Sequence, residues 1–150
     1  MIKFENVSKK FGDNVEVVKS LNLKINKGEL LVLIGPSGCG KTTTMKMINR
    51  LIPHSKGRIT IDGKDINMLD PVALRRDIGY VIQQIGLFPH YTIEENIALI
   101  PKLKKWKETE RKDRVNQLMK MVGLEPDVFA KRYPRELSGG QQQRVGVARA

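Results

Sequence analysis

Three stretches rich in Val, Ile, Leu and Phe, residues 2–8, 15–25 and 57–62, show partial apolar and polar alternation. They are bounded by turn formers: Gly12, Asp13 and Asn14; Asn26, Lys27 and Gly28; Asp62 and Gly63. Period-two alternation with that punctuation predicts an antiparallel sheet. Glu29, Leu30, Leu31, Val32, Leu33 and Ile34 form instead a continuous apolar run, the pattern of a strand buried on both faces of a parallel sheet. Ile78, Gly79, Tyr80, Val81 and Ile82 predict a second core strand. The period changes to helical over residues 41–52, where Met45, Ile48, Leu51 and Ile52 fall on one face and Pro53 ends the run. A short helix is expected from Pro71 through Arg76. Thr92 and Glu95 fit a capping box that opens a helix over residues 93–100, with Pro101 as a break or kink. A further helix runs to Val122, with Val115, Leu118, Met119 and Val122 on one side, its methionines in the core and Gly123 as C-terminal stop.

Between the apolar run and the helix at residue 41 lie Gly35, Pro36, Ser37, Gly38, Cys39, Gly40, Lys41 and Thr42. This is a full match to the phosphate-binding loop G-x-x-x-x-G-K-[ST], in the strand, loop, helix context that the motif requires. The glycines let successive N–H groups turn inward, and the helix N-terminus presents further N–H groups and its positive dipole end to the same point. Lys41 adds a charge for the outer phosphates, and the Thr42 hydroxyl can ligate the Mg²⁺ of a nucleoside triphosphate. Gln83 and Gln84 stand where the second core strand ends. In open parallel sheets ligands lie beyond the carboxyl ends of strands, so Gln83 can reach nucleotide, metal or water; equally, it can be a polar residue that starts a loop. Phe11, after Lys9 and Lys10, can stack on a purine or fill the core.

A second glycine-rich element, Leu137, Ser138, Gly139, Gly140 and Gln141, leads into the last helix. Ser138 and Gln141 make a capping box, and the same geometry makes a second anion site. Leu87, Phe88, Pro89, His90 and Tyr91 form an apolar loop with the character of a docking surface.

Composition narrows the classes. A chain of 150 residues supports one domain with a core, divided here into residues 1–85 and 86–150. No run of eighteen apolar residues occurs, and Met1, Ile2, Lys3, Phe4, Glu5 and Asn6 do not begin a signal or transit peptide. Cys39 is the single cysteine, which excludes an internal disulfide, and with His54 and His90 alone beside it no metal-ligand cluster is expected. The formal charge is +11. Much of it is local: residues 101–114 hold seven Lys or Arg against three acidic residues, and residues 131–150 hold five against one. The stretch from Lys102 to Lys107, with Trp106 inside it, reads as a solvated face first, as a contact for anionic lipid second and for nucleic acid third.

The two anion-binding features in this order resemble the nucleotide-binding subunit of an ABC transporter. On that resemblance Leu137 to Gln141 is similar to the signature motif, residues 35–42 to Walker A, Gln83 to the Q-loop glutamine and Phe11 to the adenine-stacking aromatic. The family more often has Tyr there, so stacking is kept and a hydroxyl lost. The resemblance implies an α/β fold: an incomplete P-loop core with an antiparallel β subdomain and a helical subdomain carrying the signature. It implies ATP and Mg²⁺ as ligands, with Gly35, Ser37, Gly38, Cys39, Gly40, Lys41, Thr42, Thr43 and Phe11 on the nucleotide, Thr42 and Gln83 at the metal, and Lys41 and Gln83 in catalysis. Ser138, Gly139, Gly140 and Gln141 would act in trans on the nucleotide of a second copy. A homodimer, permease subunits, peripheral attachment to the cytoplasmic face of a bacterial membrane, and no nucleic-acid partner are expected. Residues 78–90 and 42–50 resemble importers of glycine betaine, carnitine or choline, with residues 87–91 at the permease groove. The final helix shows no stop signal, and Walker B, the D-loop and the switch histidine normally follow Ala150; the expectation is a truncated domain inactive alone. A soluble ABC ATPase acting on nucleic acid or ribosomes is the alternative, although no sustained heptads occur between Lys41 and Ser138.

Overall fold

A computed structural model describes residues 1–12, 15–82 and 86–150. The chain forms two compact units, Met1–Asp77 and Ile78–Ala150.

The first unit is built on a four-stranded antiparallel sheet in the order β2, β1, β3, β4, with β1 at Ile2–Phe11, β2 at Val15–Ile25, β3 at Lys56–Ile61 and β4 at Lys64–Asp65. Phe4 pairs with Leu23 of β2 on one side and with Ile59 of β3 on the other. Strict alternation would send Phe4 and Val7 to opposite faces, yet both are buried. The break is a bulge at Asn6, whose φ of 49° accompanies a register shift between Phe4 and Val7. A bulge inserts one residue and so resets the parity of the strand. Asn22 holds it: its Oδ1 accepts from the Asn6 N–H at 2.9 Å and its Nδ2 donates to Asn6 Oδ1 at 2.9 Å. Gly57 faces the bulge at a distance that admits no side chain, since a Cβ there would lie 2.4 Å from the Asn6 carbonyl oxygen.

The core of this unit is Phe4, Val7, Val18, Met47, Ile59, Ile66 and Leu74. Helix α1, Lys41–Ile48, follows the glycine-rich loop, and α2 is Pro71–Asp77. The pattern predicts a first helix running to residue 52; it ends at Ile48 instead. Arg50 takes a left-handed φ of 53°, its N–H bonds to Met47 O, and the Leu51 N–H reaches back to Lys46 O, closing the turn. Two guanidiniums fix this end: Arg50 donates to the Ile66 and Leu69 carbonyls, and Arg75 of α2 donates to the Asn49 and Arg50 carbonyls. The buried face is also not the expected one. Thr44 and Met47 point inward, while Met45 and Leu51 are exposed.

Neither expected core strand is formed. Residues 29–34 and 78–82 carry no strand assignment, and Leu30 and Ile34 are 89% and 91% exposed. A buried strand needs a hydrogen-bonded neighbour on each side, and among the described residues neither run has one.

The second unit is helical, with α3 at Ile93–Leu103, α4 at Glu108–Met121, α5 at Pro126–Phe129 and α6 at Gly139–Arg149. Ile93 and Ile97 of α3, Val115 and Met119 of α4, Leu124, Leu137, and Val145 and Ala148 of α6 form its core. Leu118 and Val122 pack at the edge of this core, as the helical spacing predicts; Met121, expected inside with Met119, is exposed because the helical turn carries it off the apolar stripe. The Thr92–Glu95 capping box is formed, with Thr92 Oγ1 accepting from the Glu95 N–H and Glu95 accepting from the Thr92 N–H at 2.7 Å. Pro101 does not break α3 but sits buried in its last turn, where little helix remains to be disrupted. Gly123, at φ 69°, closes α4 with N–H bonds from Gly123 to Lys120 O and from Leu124 to Met119 O. No helix among the described residues is long and apolar enough to cross a membrane.

Candidate phosphate-binding site

The loop of residues 35–40 is shaped by its glycines. Gly38 and Gly40 adopt φ of 83° and 93°, values that side chains with a Cβ rarely take. Gly40 is also buried against β2, where a Cβ would lie 2.8 Å from the Val17 carbonyl oxygen and 3.2 Å from Val18 Cγ2. The loop is thus pressed onto the sheet at its last residue, which fixes where α1 begins.

Gly40 is the N-cap of α1 and no side chain caps the helix. The first N–H groups of a helix have no partner within it, so the start of α1 is open to an anion. Lys41, its first residue, folds back over the loop and donates from Nζ to the carbonyls of Gly35 and Pro36, each at 2.7 Å, with Cys39 Sγ at 3.5 Å. The ammonium is therefore held where the loop carbonyls converge. A phosphate placed on the loop would meet a preorganised cation and a row of N–H donors, an arrangement of high electrostatic complementarity. Ser37, Cys39 and Thr42 are exposed and Thr43 half-buried, so the Thr42 hydroxyl is available to a cation carried by the phosphates. These residues fit a nucleoside triphosphate with Mg²⁺.

Phe11 lies in the same unit, at the last position of β1 opposite Val15, with its ring 42% exposed and the Lys9 ammonium 4.8 Å from the ring centre. Of the two roles open to it, burial in the core is excluded. Gln83 and Gln84 lie outside the described residues, as do Asp13 and Asn14 of the first turn.

The serine and glycine element belongs to the second unit. Ser138 is the N-cap of α6: its Oγ accepts from the Gln141 N–H at 3.3 Å and its own N–H donates to Gln141 Oε1 at 2.9 Å. The capping box is therefore present, and it does not exhaust the serine, since a hydroxyl accepts and donates together. Gly139 and Gly140 are exposed, have ordinary φ, and a Cβ on either would meet nothing within 4 Å among the described residues. Among the described residues nothing explains why both are glycine.

Pattern reading missed Asn96. It is fully buried in α3 and ties the aromatic loop down: Oδ1 accepts from the Phe88 N–H at 2.9 Å, and Nδ2 donates to the carbonyls of Phe88, Tyr91 and Thr92. The loop it anchors presents Phe88, His90 and Tyr91 in mutual ring contact. Arg149 of α6 lies over Phe88 and donates to the Gly86 carbonyl at 2.8 Å, and partial burial lowers the pKa of its guanidinium. A polar residue on an otherwise apolar helical stripe was the available signal for Asn96.

Comparison with known proteins gives the family. A family model described as ABC transporter matches residues 18–150. The choline transport ATP-binding protein OpuBA of Bacillus subtilis is 62% identical over 150 residues, covering all of this chain and 39% of that protein. The osmoprotectant import ATP-binding protein OsmV of Salmonella typhimurium is 56% identical over 154 residues, again across the whole chain and 40% of that protein. The chain thus spans about two fifths of the length of these curated relatives. Among solved structures, the dimeric post-hydrolysis state of the ATP-binding cassette MJ0796 bound to ADP and Pi superposes with a TM-score of 0.86 at 41% identity, covering 99% of this chain and 68% of that one.

Proposed function

The chain belongs to the ABC transporter family of ATP-binding domains, and from that premise we propose that it is the ATP-binding, energy-coupling subunit of a bacterial importer for quaternary-amine osmoprotectants. The observation that carries the nucleotide assignment is the Lys41 ammonium seated at 2.7 Å from two loop carbonyls beside the uncapped start of α1. Lys41 holds the outer phosphates, the N–H groups of residues 38–43 cradle them, the Thr42 hydroxyl and Gln83 hold Mg²⁺, and the exposed Phe11 ring stacks on adenine. Bound Mg²⁺ neutralises charge on the phosphates and so favours attack by water; Gln83 orients that water. Gly139, Gly140 and the donors of Ser138 and Gln141 close on the nucleotide of a second copy, which gives these two glycines the close approach that the chain itself does not use. Hydrolysis belongs to the full-length dimer, because none of the residues assigned here is a carboxylate able to serve as general base. Permease subunits hold the dimer at the cytoplasmic face of the membrane, with the Phe88 to Tyr91 loop on the docking side.

The solute class is supported by relatives named for choline and osmoprotectant transport. A chimera tests it: residues 1–150 replace the matching segment of the Bacillus subtilis choline transport ATP-binding protein. The chimera should restore choline uptake at high osmolarity, and its Lys41→Ala form should not. A stable chimera that assembles but supports no uptake would contradict the assignment.

A further inference from the structure

We propose that the turn between α3 and α4 is a direct contact for an anionic lipid surface. This inference rests on the second unit alone and does not depend on nucleotide binding. The turn carries Lys102, Lys104, Lys105 and Lys107 within six residues, with Leu103 and Trp106 between them. Leu103 and Trp106 are 45% and 42% exposed among those lysines. A large aromatic and a leucine at the surface inside a lysine cluster combine the two elements that hold a segment at a bilayer interface: apolar groups for the headgroup boundary and cations for anionic lipid.

The backbone supplies a second observation. Lys105 takes φ 57°, its N–H bonds to Lys102 O at 3.0 Å and the Trp106 N–H bonds to Pro101 O at 3.0 Å. This is the helix stop that normally places glycine at the left-handed position, as Gly123 does at the end of α4. Arg50 occupies the equivalent place after α1 and is explained by its bonds to Ile66 and Leu69. Lys105 has no such explanation: among the described residues its side chain makes no hydrogen bond or ion pair. A lysine stands where glycine is easier, and among the described residues its ammonium meets no partner, which leaves the charge available to a group outside the chain.

The four lysines of residues 102–107 outnumber Glu108 and Glu110 at the start of α4, so the acidic groups nearby reduce the charge of the cluster without cancelling it. Glu110 accepts from the Lys107 N–H, Glu95 from the Thr92 N–H, and Glu94 pairs with Lys131. The sign and the apolar tip fit a bilayer better than a nucleic acid, which would be met by several stacking rings along a groove rather than by one.

Trp106 is the single tryptophan, so its fluorescence reports on this turn and on nothing else. The intact chain is mixed with vesicles of phosphatidylglycerol and phosphatidylcholine, and with phosphatidylcholine alone, with and without lipid brominated in the acyl chains. The emission should shift to the blue and be quenched on the anionic vesicles only, and both effects should weaken about tenfold or more on raising salt. The triple variant Lys102→Gln, Lys105→Gln and Lys107→Gln should lose the binding while keeping its circular dichroism. Lys105→Gly separates structure from function: it should raise the melting temperature and weaken binding. No shift on anionic vesicles, equal binding to neutral ones, undiminished binding by the triple variant, or preferential binding of a single-stranded oligonucleotide would overturn the proposal.

Discussion

Individual residues carry the site's chemistry, and Phe11 offers the cleanest separation of parts. Its ring is exposed, with the Lys9 ammonium 4.8 Å from the ring centre, so Phe11→Ala should cost about 0.5–1.5 kcal/mol of adenine stacking, roughly two- to twelvefold in the Kd for ATP. Binding of inorganic tripolyphosphate should stay unchanged, and Phe11→Tyr should keep the affinity; titration of both ligands checks the split. The identity of the phosphate-binding residues was legible, because Gly38, Gly40 and Lys41 are demanded by backbone φ and charge at fixed spacing. The bonds from Lys41 to Gly35 and Pro36 were not, since they depend on where the loop carbonyls point. Met45 and Met47 show the same limit. Both are apolar and two positions apart, and only tertiary packing decides that Met47 is the one inside.

At the scale of elements, caps were readable and ladders were not. Thr92 and Glu95, Ser138 and Gln141, and Gly123 act within four residues of themselves, so the ends of α3, α4 and α6 follow from local chemistry. The runs 29–34 and 78–82 carry strand-like sequences, but a strand is completed by a partner elsewhere in sequence, and local pattern cannot supply it. Thr92→Ala should destabilise the second unit by about 1 kcal/mol, and Asn96→Ala by about 1–3 kcal/mol, because it strands the Phe88 N–H and the Tyr91 carbonyl while the Phe88 and Thr92 carbonyls keep backbone donors; urea unfolding measures both. Glu95 also gives α3 a pH dependence. The Thr92 N–H and hydroxyl hold its carboxyl below the ordinary value of 4.5, so the charged form stabilises the fold above that value and the contribution is lost as pH falls through the lower, folded-state pKa. Melting temperature should therefore fall more steeply in acid for the parent than for Glu95→Gln, which keeps an acceptor but does not titrate; parallel curves would remove Glu95 from the account.

The molecule as a whole combines a net charge of +11 with an apolar run, residues 29–34, that lies at the surface of its unit. Exposed runs of this kind promote association. Leu30→Gln should reduce light scattering of the chain while changing stability by less than about 0.5 kcal/mol, as expected for a side chain that is 89% exposed. The central claim, that the loop at residues 35–42 holds ATP, is tested most directly by isothermal titration of Mg²⁺-ATP into the intact chain beside its Lys41→Ala variant. The account predicts one ATP per chain, dependent on Mg²⁺, and loss of binding in the variant. Absence of binding by the parent, or equal binding by Lys41→Ala, would contradict it.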